Sequence, residues 1–172
     1  EVGEREEENK KKENGGSEDM SWTSFLCDPL RIIKKDSREG KAIGTLLEEV
    51  KKSSGIDIRI LNQRHPLSPG AALLRVWSIQ PTSAIIILDR SIGEGSCLHF
   101  NLGTEALSTV PLRFWERLSA VYGDKRYNAV TSPGAVLEGL LSCLLTALQK
   151  GRFRTIRQPP LKMSESPLAA AA

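Results

Sequence analysis

The stretch Ser83-Ala84-Ile85-Ile86-Ile87-Leu88-Asp89 constrains this chain most. It is the one run of β-branched and aliphatic residues without a polar interruption. Turn formers bound it, Pro81-Thr82 before and Ser91 to Ser96 after. A run so short, apolar and β-branched reads as a strand buried on both faces. Such a strand needs helices above and below it. The expected class is therefore α/β, a three-layer α/β/α sandwich built on a small mixed sheet.

The flanking patterns supply the other elements. Asp36-Ser37-Arg38-Glu39 has the form of a capping box, with Asp36 at the cap and Glu39 three positions on. Ile43, Leu46, Leu47 and Val50 follow at helical spacing up to Gly55. From Ile56 to Leu61 the pattern alternates, with Ile56, Ile58 and Ile60 on one face and Asp57 and Arg59 on the other, which predicts a strand. Gln63 to Gly70 reads as a loop closing on a helix start at Ser68-Pro69, and Ala71 to Ser78 as a short helix. Strand, helix and strand in so few residues make a βαβ unit with parallel strands. Cys97 to Leu102 alternates again, and the short loop before it predicts an antiparallel hairpin partner. Gly103 to Thr109 reads as a loop. Val110-Pro111 opens a helix with the stripe Leu112, Trp115, Leu118, Val121 and Tyr122, stopped at Gly123. Ser132-Pro133 starts the most apolar helix, through Leu137, Leu140, Leu141, Leu144, Leu145 and Leu148 to Gly151. Trp77 and Trp115, among aliphatic neighbours, read as core.

Charge marks off the ends. The net charge of the 172 residues is only +3, which argues against nucleic acid as a partner. Residues 1–20 carry eight acids against four bases and almost no apolar residue, so they read as a disordered charged tail. Residues 21–35, with scattered apolar side chains, read as an irregular lead-in. The globular domain is expected over 36–151. Residues 152–172 read as a basic, alanine-rich disordered tail. The chain opens on Glu1 rather than Met, which reads as a processed form or a fragment. No apolar run reaches the roughly 18 residues of a membrane span. Cys27, Cys97 and Cys143 are widely spaced and show no CxxC, so a structural zinc site is not expected. One disulfide among the three cannot be assigned from spacing. No GxSxG, HExxH, Walker loop or GxGxxG occurs, and no catalytic residue is singled out.

Three segments carry a resemblance to a known family. They are Ile58-Arg59-Ile60-Leu61-Asn62-Gln63 with Pro66 and Ser68-Pro69-Gly70, then Leu98-His99-Phe100-Asn101-Leu102-Gly103, then Val110 to Leu118 continuing to Tyr122-Gly123. Over roughly residues 33–150 the chain resembles the TPM domain family, and within it the small thylakoid lumenal TPM proteins of plants. The resemblance implies an α/β/α sandwich, a chloroplast thylakoid lumen location, and a link to photosystem II assembly or repair. The expected partners are photosystem or other thylakoid membrane complexes. It also implies an alternative, a weak divalent-metal-dependent acid phosphatase, with calcium or magnesium as the cofactor. That activity uses carboxylates at strand ends. Where family members have further acids this chain reads Pro81-Thr82-Ser83 and Glu105-Ala106-Leu107-Ser108-Thr109.

The candidate ligands that remain are Asp89, at the end of the buried strand, Glu94 in its Gly-flanked turn, and Glu105. Asp89 has a second reading, a loop-capping carboxylate that accepts backbone N–H bonds. Hard divalent cations take about six oxygens, so three acids on two loops form a sparse set. Arg64 and His65, just before the Ser68-Pro69-Gly70 helix start, are the candidate anion-binding pair, because helix N-termini present free N–H groups. His99 alternates out of the core beside Asn101. The leading expectation is thus a non-catalytic accessory domain acting by protein–protein contact.

Overall fold

A computed structural model describes residues 25–28, 33–64, 80–91, 93–153 and 156. Its centre is a four-stranded mixed sheet in the order β1 (Leu26–Cys27), β2 (Asp57–Gln63), β3 (Ser83–Asp89), β4 (Leu98–Leu102). The expected pairing is observed: β2 and β3 run parallel, with Asp57 opposite Ser83 and Gln63 opposite Asp89, and β4 returns antiparallel with Ile86 opposite Phe100. Helices α1 (Arg38–Ser54), α2 (Thr104–Thr109), α3 (Leu112–Tyr122), α4 (Lys125–Val130) and α5 (Pro133–Lys150) complete the described elements. The class is α/β. The helix expected over Ala71 to Ser78 lies outside the described residues.

The two faces of the sheet follow from the period of two along each strand. Ile58, Ile60, Ala84, Ile86, Leu88 and Leu98 face one core with α1, α3 and α5. Ile43 and Val50 of α1, Trp115 and Leu118 of α3, and Leu137, Leu140, Leu141 and Leu144 of α5 fill it, each at most 1% exposed. Truncating any one of these leucines to alanine removes transfer energy and leaves a cavity, at a cost of about 2–5 kcal/mol. Leu61 and Ile85 point to the opposite face and are also only 1% exposed. The central run is therefore largely shielded from water on both sides, with Ile87 partly exposed.

Local chemistry sets the helix ends. The α1 cap is Ser37, one residue after the expected Asp36; its Oγ accepts from the Gly40 N–H at 3.1 Å. Glu39 is then not a capping-box partner. It accepts instead from the Ser132 hydroxyl at 2.8 Å, joining α1 to the start of α5, where the helix dipole favours a carboxylate. Ser132 itself caps α5 through the Ala135 N–H, with Pro133 in the first turn and Gly151 (φ 58°) closing the far end.

Three elements differ from the sequence reading. Leu26–Cys27, read as irregular lead-in, pairs with Ile60 and Leu61 as a short parallel edge strand. Thr104–Thr109, read as a loop, is one and a half turns of helix. Gly103 before it lies against the Pro81 carbonyl, where an added Cβ would stand 2.2 Å from oxygen. Beyond Gly151 the chain turns back: the Phe153 ring meets Phe114 edge-on at 5.3 Å, and Ile156 packs on the core.

Candidate functional site

In open α/β sheets, ligands collect where the parallel strands end. Here that edge holds Asp28 after β1, Asn62, Gln63 and Arg64 at the end of β2, and Asp89, Arg90 and Ser91 at the end of β3. The register brings these residues together from positions far apart in the chain.

Alternation divides the edge into two polar pairs. On the face of the helical core, the Asp28 carboxylate accepts from Asn62 Nδ2 at 2.9 Å and from the Ile33 N–H at 2.5 Å. Asn62 is 2% exposed, an amide that continues the Ile58, Ile60 stripe. On the other face, Asp89 Oδ1 accepts from the Ser91 N–H at 3.0 Å and the Ser91 hydroxyl at 2.6 Å. Its Oδ2 accepts from Gln63 Nε2 at 3.4 Å. Asp89 is 1% exposed and shapes the turn that leaves β3. Each carboxylate holds a loop against the strand beside it.

The remaining candidates are placed as follows. Glu94 is exposed in the loop after β3, and Lys125 of α4 donates to the Gly93 carbonyl next to it. Glu105 is exposed in the first turn of α2, at the other end of the sheet: the Glu105 N–H donates to Pro81 O and the Gly103 N–H to Ser83 O. The length of β3, about 20 Å, separates it from Asp89. The structure thus brings Asp89 and Glu94 to one end and leaves Glu105 at the opposite one. Among the described residues no group of three or more His, Cys, Asp and Glu is placed to hold a metal ion. Arg64 is exposed at the same edge as Asp89, and His65 lies outside the described residues. His99 is exposed on β4, opposite Ile87.

Cys97, which follows the loop, is buried, and burial pushes its thiol pKa up. Lys125 and Arg90 pull it down, while Asp89 and Asp124 push it up, so both signs of charge surround this end of the sheet. The loop is further pinned by Ser96, whose Oγ lies 2.9 Å from Ser119 Oγ and accepts from the Leu98 N–H at 3.1 Å. Asp28 and Asn62 escaped the sequence reading. The available signal was Asn62 itself, a lone amide where the stripe calls for an aliphatic residue.

No protein-family model matches the chain. It is similar to the thylakoid lumenal 15.0 kDa protein 2, chloroplastic, of Arabidopsis thaliana, with 26% identity over 110 residues, 64% of this chain and 48% of that protein. The similarity supports a relation to that plant lumenal protein. It supports the chloroplast thylakoid lumen as the compartment. The chain spans about half the length of that relative. Among the described residues no helix is long and apolar enough to cross a membrane.

Proposed function

We propose that this chain is a non-catalytic accessory protein of the thylakoid lumen, a TPM-type domain that docks on membrane protein complexes during photosystem II assembly or repair. The observation that carries this reading is the use made of the acids at the strand edge. Asp28 and Asp89 are spent on holding Ile33, Asn62, Gln63 and Ser91 in place. A carboxylate already engaged by intramolecular donors on both oxygens is less available as a ligand or a base. The similarity to a lumenal protein supports the compartment. The test is affinity capture from detergent-solubilised thylakoid membranes with the tagged chain. Recovery of photosystem II subunits is the expected result, and capture no different from tag alone would remove the reading.

One observation favours a second reading, the weak divalent-metal-dependent acid phosphatase: Asp89, Glu94 and Arg64 share the strand-end edge. Hydrolysis of a simple phosphomonoester with calcium or magnesium, reduced in Asp89→Asn and Glu94→Gln, would favour it. Activity unchanged in both variants would remove it.

A further inference from the structure

A second surface has nothing to do with the strand edge. Arg113 and Arg117 lie one turn apart on α3, so they share a stripe. The end of α5 comes back to that stripe: Arg117 Nη1 donates to the Phe153 carbonyl at 3.4 Å, and the Phe153 ring sits on Phe114. Lys150 and Arg152 flank this return, with the Arg152 N–H held by the Ala147 carbonyl at 3.1 Å. Four exposed cations thus lie within a few residues of the Phe153 contacts with Phe114 and Arg117, with Glu116 as an acid on the same stretch of α3. Leu112, beside Arg113, is 55% exposed, a large apolar side chain left in water at the rim of the cationic face.

We propose that this face docks on an anionic lipid surface. The charges are complementary to such a surface, and each cation brought near it strengthens binding by a similar increment. Arg113, Lys150 and Arg152 form no ion pair and no side-chain hydrogen bond among the described residues. Unfixed cations suit a plane of mobile headgroups better than a stereospecific acidic protein pocket, which orients its guanidinium groups bidentately. The exposed Leu112 adds what an interfacial contact uses, an apolar residue next to basic ones. The face lies away from the strand edge and stands whether or not the chain binds a photosystem complex.

The experiment is co-sedimentation of the full chain with protein-free vesicles, one set of phosphatidylcholine and one containing about one-third phosphatidylglycerol. Binding to the anionic set, weakened by salt as screening requires, is the expected result. The triple variant Arg113→Ala, Lys150→Ala, Arg152→Ala lowers the partition coefficient by about 100-fold, roughly fivefold for each cation removed. A charge-matched control on α1, Arg38→Ala, Lys41→Ala, Lys52→Ala, leaves it within about threefold. These six residues are all exposed, and circular dichroism confirms that both variants fold. Equal losses in the two triples would mean that net charge, not this face, governs binding, and would overturn the proposal. So would equal binding to both vesicle sets. Retention on an immobilised acidic polypeptide with no vesicle binding would assign the face to an acidic protein instead and overturn it as well.

Discussion

Replacing Asp89 with alanine tests whether the carboxylate at the end of the buried strand is structural. The side chain accepts two charge-assisted bonds from Ser91, at 3.0 Å from N–H and 2.6 Å from O–H, and a weaker one from Gln63 at 3.4 Å. A hydrogen bond to a charged group contributes about 1.5–3 kcal/mol net. The two short bonds share one oxygen and do not add fully, so a loss of about 3–5 kcal/mol is expected. That is a large part of the roughly 5–15 kcal/mol that holds a domain folded. With a urea slope of about 2 kcal/mol per molar, the midpoint falls by about 1.5–2.5 M. Asp89→Asn keeps an acceptor for the Ser91 N–H but loses the charge, and is expected to lose about 1–2 kcal/mol. Ser91→Ala removes one donor and is expected to lose about 1 kcal/mol. The measurement is urea unfolding followed by tryptophan fluorescence on all three variants. An alanine variant within about 1 kcal/mol of the parent would refute the structural reading, because the donors would then be satisfied without the carboxylate.

Three more outcomes are expected. Gly103→Ala places a methyl 2.2 Å from the Pro81 carbonyl oxygen, a backbone atom that cannot move alone, so unfolding should come about 2–3 kcal/mol sooner in urea; a neutral result would mean that the β3 and α2 ends are not held together as described. Asp57 is partly buried, which raises its pKa, but hydrogen bonds from Lys51 at 3.0 Å and Arg59 at 3.1 Å outweigh burial and the net shift is downward. A depressed carboxyl stabilises the fold above its unfolded value of about 3.9 and stops doing so as pH falls through the folded value. Asp57→Asn should therefore cost under about 1 kcal/mol at pH 7, given that Lys51 is 64% exposed, and the gap should close in stability curves taken below about pH 4. All three cysteines are free, and burial raises the pKa of each. A thiol reagent at pH 7 should react slowly with the native chain, half-buried Cys143 first, and count three thiols in denaturant; fewer than three would reveal a bridge.

Much of the fold was legible because it is written in period and punctuation. The three isoleucines of β3, the alternation of β2 and β4, and the leucines of α5 each announce one element and the face it buries. The parts that were not legible depend on contacts between distant residues. Leu26–Cys27 is too short to show a period, and becomes a strand only because β2 offers a parallel edge. Thr104–Thr109 lacks an apolar stripe, and is helical because Gly103 packs on Pro81 and the Ala106 methyl is buried. Asp36 and Ser37 are both competent caps, and only the path of the chain selects Ser37.

The candidate site shows the same division more sharply. The family resemblance implied Asp89, Glu94 and Glu105 as acids near one sheet edge, but β4 runs antiparallel to β3, so each residue after the hairpin moves back along the strand. By Gly103 the chain has returned to Ser83, and the acid two positions later stands at the opposite end from Asp89. The antiparallel return that makes the sheet mixed thus parts the acids that a wholly parallel sheet would collect. What the edge does gather comes from β1 and β2, Asp28 and Asn62 on one face, Gln63 beside Asp89 on the other. Because neighbouring residues of a strand point to opposite faces, the two carboxylates lie on opposite sides of the sheet, each closed by its own donors. The sheet end then works as a clasp for the loops that leave it. The docking face proposed above accordingly draws on Arg113, Lys150 and Arg152, which lie apart from this edge.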